Sequence, residues 1–262
     1  MWRVGPRAAG AWRALLALAL ILALQSAEAA PEVHRFYGYA LAEGDGSFLF
    51  TEVHQHLYDG ERWLSGRIRY FSADNHMIGE KTLDFSQDPY LPVYRLTLPH
   101  DNYEEGLTAV TADTVEIEKI VDGSVERDRV ERTSGIVADS GLHSFVIDHL
   151  VELQAGKIVP FVFVVPSRLT TYRFRLRKSG EATTGEGHPA IRITGEADSV
   201  LRLVAPSLTL VYDLKTRYLV EYHGVSRIHN PLTGRPYGAV KIVFPAKPPP
   251  GAPAPLPPFD GG

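Results

Sequence analysis

The chain contains no cysteine. That excludes disulfide staples, thiolate metal sites, a cysteine nucleophile and a lipid-bearing cysteine anchor, so the fold must be held by its own core. Tryptophan is scarce as well. Of three residues, Trp2 and Trp12 precede residue 30, which leaves Trp63 and excludes a carbohydrate platform built from tryptophan. There is no basic run, and 27 Lys+Arg against 31 Asp+Glu give a formal charge of −4. Nucleic acid and anionic membrane surfaces are therefore not expected partners. The short patterns of common chemistries are missing too: there is no GxSxG elbow, no HExxH and no P-loop. Gly44-Asp45-Gly46 lacks the acidic ladder of a calcium loop. No cofactor is expected.

What is present begins with an address. Arg3, Arg7 and Arg13 precede an 11-residue apolar run, Ala14–Leu24, and then the small-residue exit Ala27-Glu28-Ala29. Charge, a short apolar stretch and small residues form the secretory pattern, and the run is too short to span a bilayer. Residues 1–29 are expected to be a cleaved signal peptide, with a secreted or periplasmic mature chain and no membrane span after cleavage. Cleavage would remove three arginines and one glutamate, taking the formal charge from −4 to −6. Residues 30–245 are expected to form one β-rich domain. Residues 246–262, AKPPPGAPAPLPPFDGG, are expected to be a disordered Pro-rich tail, with a Pro-rich recognition peptide as the alternative reading.

Within the domain, short apolar or alternating segments are separated by Gly, Asp and Asn turns, the pattern of an antiparallel sandwich or barrel. Val33–Ala42, Ser47–Tyr58, Arg62–Ser72, Met77–Phe85, Val93–Leu98, Leu107–Ala112, Thr114–Ile120 and Ser124–Arg132 are predicted strands. Thr170–Lys178, Pro189–Ala197, Ser199–Val204, Leu208–Tyr212, Tyr218–His223 and Tyr237–Phe244 continue the series. Ser47–Tyr58 carries apolar groups on both alternating faces, which predicts cover on both sides for part of its length. Asp122-Gly123 reads as a two-residue hairpin loop. The register that follows sets Lys119 against Glu126, Glu118 against Arg127 and Glu116 against Arg129.

One stretch breaks the β rhythm. Leu142, Phe145, Val146, His149, Leu150 and Leu153 recur at helical spacing, with Ser140 as a candidate N-cap and Gly156 as the residue after the C-terminus. Ser144, Asp148 and Glu152 make only a narrow polar stripe, so the Leu142–Ala155 helix is expected to lie across a concave sheet. Phe161–Val165 is apolar throughout and is expected to be buried on both faces. The predicted fold is mainly β: a curved antiparallel sheet, half-barrel or barrel, packed on one central helix.

Candidate chemistry is thin. His54 and His56 share a strand face with Glu52 and could chelate a metal if a third ligand converged, but hydrogen-bonded sheet histidines are the plainer reading. His149 is the one polar group on the helix's apolar face. A core histidine with one satisfied nitrogen is its plainer role.

The stretch Gly141–Leu169 resembles a group of uncharacterised secreted proteobacterial proteins. The shared features are a Gly-x-x-x-Phe helix start (Gly141, Phe145), a helix ending in Ala155-Gly156, and Phe163 followed by Pro166-Ser167-Arg168-Leu169. The likeness extends more loosely through Tyr70–Phe85, Glu104-Glu105-Gly106 and Val211–Phe244, and it implies no assigned activity. In architecture alone, strands around a helix resemble the periplasmic lipoprotein-carrier half-barrel. The expected function is non-enzymatic binding of a hydrophobic or amphipathic ligand, such as a lipid, between sheet and helix, lined by Phe145, His149, Leu153, Phe161 and Phe163. The alternative is a structural or interaction protein of the cell envelope with a solid core and a protein partner.

Overall fold

The computed structural model describes residues 30–198 and 207–259. The proposed signal peptide, residues 1–29, and the strand expected at Ser199–Val204 lie outside the described residues. The described chain is mainly β. Fifteen strands form one sheet in the order β8-β7-β6-β5-β4-β3-β2-β1-β15-β14-β13-β12-β11-β10-β9. β1 (Glu32–Ala42), β2 (Phe48–Asp59), β3 (Arg62–Ser72), β4 (Met77–Asp84), β5 (Val93–Leu98), β6 (Tyr103–Val110), β7 (Thr114–Val121) and β8 (Ser124–Glu131) run outward as one meander. β9 (Ile136–Ala138) and β10 (Val159–Val165) start the other half at its far edge. β11 (Thr170–Thr183), β12 (Pro189–Ala197), β13 (Leu208–Asp213), β14 (Leu219–Asn230) and β15 (Arg235–Val243) then return to pair with β1.

This order forces curvature. β8 and β9 sit at opposite ends of the strip, yet only residues 132–135 connect them. Laid flat, fourteen steps between strands would separate the ends by roughly 67 Å at about 4.8 Å each. The link can span about 17 Å. The strip therefore curls until its ends approach. The two end strands are not paired with each other, so the sheet is curled but not closed.

Adjacent strands are antiparallel apart from β9 and β10, which are parallel. A parallel pair needs a crossover, and the helical segment supplies it. The expected single helix is two: α1 (Gly141–Asp148) and α2 (Leu150–Gln154), broken at His149. The break has a local cause. His149 Nδ1–H donates to the Phe145 carbonyl at 2.8 Å, competing with the backbone N–H that also reaches that oxygen at 3.2 Å. Ser140 makes no side-chain cap bond. Its hydroxyl and its N–H both donate to Asp139 Oδ1, which turns the hydroxyl towards Asp139 and away from the N–H donors of the first turn. Gly156 ends α2 as expected, at φ +79°, with Lys157 N–H on the Glu152 carbonyl. Among the described residues no helix is long and apolar enough to cross a membrane.

Among the described residues, two apolar clusters form the interior. One lies inside the curl, built on Phe50, Ile68, Leu83, Leu96, Leu107 and Ile117, with Ile136 and Val164 closing it from the far edge. The second joins Leu142, Phe145, Val146, Leu150 and Leu153 to Phe161, Leu176, Ile193 and Leu210. The helices thus lie over β9–β13, towards one end of the strip. β10 separates the clusters: Val162 and Val164 face the first, Phe161 and Phe163 the second. Its unbroken apolar run follows from this two-sided burial.

The Asp122-Gly123 hairpin has the expected register. Lys119 pairs with Glu126, Glu118 with Arg127 and Glu116 with Arg129, with ion-pair distances of 2.7, 2.6 and 2.7 Å. Both loop residues have positive φ, as a tight hairpin turn requires.

The Pro-rich segment differs from expectation. Instead of extending free, residues 252–259 lie across β1–β3, held by side-chain donors of those strands and of the β3–β4 turn.

Candidate functional site

Beneath α1 and α2 the space is occupied. Leu153 is fully buried, and Phe145 and Phe161 nearly so, their rings 5.9 Å apart. Phe163 is half-buried beside Phe174. Of the five residues expected to line a ligand site, His149 reaches an accessible surface, Phe163 is half-buried, and Phe145, Leu153 and Phe161 sit in packed core, with Phe145 at the floor of the cleft described next.

The accessible surface is a cleft of about 480 Å³ on the flank of the helices, lined by Tyr90, Ser134, Gly135, Phe145, His149, Glu152, Ile158, Val159 and Pro160. That volume falls within the usual range for small-molecule sites. Four chain segments make it. The helices supply Phe145, His149 and Glu152. The turn into β10 and the start of that strand supply Ile158, Val159 and Pro160. The link into β9 supplies Ser134 and Gly135, and the segment before β5 supplies Tyr90.

Tyr90 is fixed at three points. Its N–H donates to Asp88 Oδ1 at 2.7 Å, its carbonyl accepts from Ala138 N–H at 3.0 Å, and its hydroxyl donates to Asp148 Oδ2 at 2.7 Å. Burial, then the Asp148 hydrogen bond and charge, push the phenol up to about 12, so it remains a protonated donor. Its ring meets Phe145 edge-on at 5.4 Å. Gly141 admits this arrangement, because an added Cβ would sit 2.0 Å from the Tyr90 carbonyl oxygen.

His149 lies over Phe145 with ring centroids 4.2 Å apart. Since a carbonyl can only accept, the bond to Phe145 places the proton on Nδ1 and makes Nε2 the acceptor of the neutral ring. The cleft therefore combines two aromatic rings and an aliphatic rim with an imidazole acceptor and the Glu152 carboxylate, which lies 3.5 Å from Lys157 Nζ. The helix break positions the imidazole. Ile158 at the rim and Val151 on α2 are exposed aliphatic side chains.

His54 and His56 are buried elsewhere, inside the curl. His54 Nε2–H donates to Glu52 Oε2 at 3.0 Å, and His54 Nδ1 lies 3.2 Å from His56 Nε2. With the His54 proton on Nε2, His56 is the donor to His54 Nδ1. Both nitrogens of His54 are thus used within the row, and its ring stacks on Phe36 at 4.5 Å. Among the described residues no group of three or more His, Cys, Asp or Glu is placed to hold a metal. His56 stacks on Trp63 at 4.2 Å. Burial, then the charges of His54, His143 and His34, hold its pKa well below the ordinary 6.5.

Two further polar groups of the interior were not singled out in the sequence. Lys81 Nζ donates to Asp139 Oδ2 at 2.6 Å. Burial alone would depress this ammonium, but Asp139, Tyr70 and Glu52 together outweigh it and its pKa is raised. His143 on α1 meets the Tyr212 hydroxyl at 3.1 Å, and burial followed by the Arg217 charge lowers it to about 4. Residues so far apart in sequence leave no local signal of such pairing.

No known protein-family model matches the chain, and no curated protein matches it significantly in sequence. Among solved structures it is similar to a protein from Brucella abortus described as a β-barrel-like protein of a domain of unknown function, DUF1849. The likeness covers 82% of this chain and 98% of that one, with a TM-score of 0.49 and 6% sequence identity.

Proposed function

We propose that this is a non-enzymatic periplasmic protein that binds an amphipathic ligand in the cleft on the flank of α1 and α2. The observation that carries the reading is the cleft itself: about 480 Å³ in which Tyr90 and Ile158 offer apolar surface beside His149 and Glu152, over a floor of buried Phe145 and Val159. The filled core beneath the helices supports a site on the helix flank rather than in the space between sheet and helix, where the sequence suggested it. The apolar part of the ligand lies on the Tyr90 ring and the Ile158 side chain. Its polar head meets two acceptors, His149 Nε2 and the Glu152 carboxylate. Hydroxyl, amide or ammonium heads suit them, whereas a carboxylate head would face Glu152 at a cost.

The test is displacement of a fluorescent naphthylamine probe by a monoacylglycerol and by the fatty acid of equal chain length. The monoacylglycerol should displace the probe at lower concentration. Ile158→Asp puts a charge on the exposed rim at little cost to the fold and should weaken probe binding about tenfold. Failure to bind the probe, or unchanged binding by I158D, would refute the site.

A second reading, an interaction protein of the cell envelope, is favoured by the filled core and by the exposed Val151 and Ile158 side chains. Recovery of a stable protein partner whose binding is lost in I158D, with no probe binding, would select it.

A further inference from the structure

The outer face of β1–β3 is buried although it points away from the curl. Tyr39, Thr51, Val53, Arg69 and Phe71 lie on it, set side by side by the strand register, and each is less than a tenth exposed. Cover comes from residues 252–259 of the same chain. Tyr37 Oη donates to the Pro257 carbonyl at 2.8 Å, and Arg69 Nη2 donates to the Pro258 carbonyl at 2.7 Å and to that of Phe259. Gln55 Nε2 also donates to the Phe259 carbonyl, at 2.5 Å, and Asn75 Nδ2 reaches the Pro255 carbonyl at 3.4 Å. The Phe259 ring packs on Tyr37 with centroids 4.4 Å apart. Thr51 Oγ1 is buried on the same face without a hydrogen-bond partner among the described residues.

Each of these hydrogen bonds runs from a side chain of the strands, or of the β3–β4 turn in the case of Asn75, to a backbone carbonyl of the segment. Proline has no N–H, so such a segment cannot join the sheet as a further strand. Its carbonyls project outward, and a receptor for it needs side-chain donors and an aromatic shelf. Tyr37, Gln55, Arg69 and Asn75 provide the donors, and Tyr37 provides the shelf. Apart from Phe259, the bonds read backbone and not side-chain identity.

We propose that the outer face of β1–β3 is a binding site for extended Pro-rich peptides carrying an aromatic residue, and that the chain's own C-terminal segment occupies it in cis. The segment leaves β15 at Val243 and is docked by residue 255, a short tether. Short tethers hold an occupant at an effective concentration of about millimolar. The segment is thus an autoinhibitory strap that an external peptide must displace. This site is separate from the helix-flank cleft and does not depend on it.

The test uses the full chain with Pro257→Gly and Phe259→Ala, which removes the ring contact and the proline constraint and so loosens the segment, and a dye-labelled peptide of sequence APAPLPPFDGG followed by fluorescence anisotropy. The peptide should bind this variant saturably and at least about tenfold tighter than the unaltered chain. Adding Tyr37→Phe should weaken it roughly fivefold, as loss of one hydrogen bond implies. Should the double variant fail to fold, a long Gly/Ser insertion after Ala246 lowers the strap's effective concentration with every contact residue intact, and the same binding is expected. No peptide binding by a folded variant, equal binding by a peptide of the same length without proline or phenylalanine, or indifference to Tyr37→Phe would overturn the proposal.

Discussion

Replacing Gly141 by Ala sets two effects of opposite sign against each other. Gly141 is the first residue of α1, where alanine gains up to about 1 kcal/mol in helix propensity. The added Cβ, however, would lie 2.0 Å from the Tyr90 carbonyl oxygen, 2.5 Å from its carbon and 2.9 Å from its Cα. These are backbone atoms and cannot rotate away. An ordinary contact needs a retreat of roughly 1.4 Å, and the carbonyl is the acceptor of Ala138 N–H at 3.0 Å. Losing that bond leaves a buried donor unsatisfied, costing about 1–3 kcal/mol, and residual crowding costs about 1–3 kcal/mol more. The clash wins. G141A should lose about 1–5 kcal/mol, a fall in melting temperature of roughly 2–20 °C for a domain of this size. Thermal unfolding followed by circular dichroism reads it directly. Gly44→Ala is the control, because nothing lies within 4 Å of the Cβ it would add. G141A should also displace Tyr90 and weaken ligand binding in the cleft. A G141A protein as stable as the parent would refute the packing of the Tyr90 segment on α1.

Further outcomes follow from the same contacts. Leu153→Ala removes a fully buried side chain from the helix–sheet cluster and should cost about 2–5 kcal/mol in urea unfolding. His143 titrates near 4 in the folded chain against an ordinary 6.5. Between these values the unfolded state binds the proton and the native state does not, so its contribution to stability is complete above pH 6.5 and is lost as pH falls towards 4. His143→Phe should flatten the dependence of the urea midpoint on pH across that window; an unchanged slope would contradict the burial of His143. Trp63 is the only tryptophan among the described residues and stacks on His56. Its fluorescence should titrate with a midpoint below pH 6.5, and His56→Phe should remove the transition.

What the sequence made legible was local. The Asp122-Gly123 register needed only a two-residue turn and period-two alternation, and α1 and α2 needed only helical spacing. The break at His149 was hidden, because Leu150 and Leu153 continue the same periodicity across it. β9 was hidden because three residues carry no alternation, and its parallel partner lies beyond a helical crossover. The cleft was half legible: helix spacing pointed to Phe145 and His149, whereas Tyr90, Ser134 and Gly135 come from connecting segments with no pattern of their own. The two-sided apolar character of Ser47–Tyr58 did announce cover on its outer face. Nothing local identified the cover as the Pro-rich segment, whose contacts reach back across some 200 residues to Gln55 and Tyr37.

Amide shift mapping during titration with a monoacylglycerol tests ligand binding in the cleft most directly. Saturable shifts centred on Gly135, Phe145, His149 and Ile158, absent in I158D, are the predicted result. Shifts confined to other faces of the sheet, or none at millimolar ligand, would contradict it.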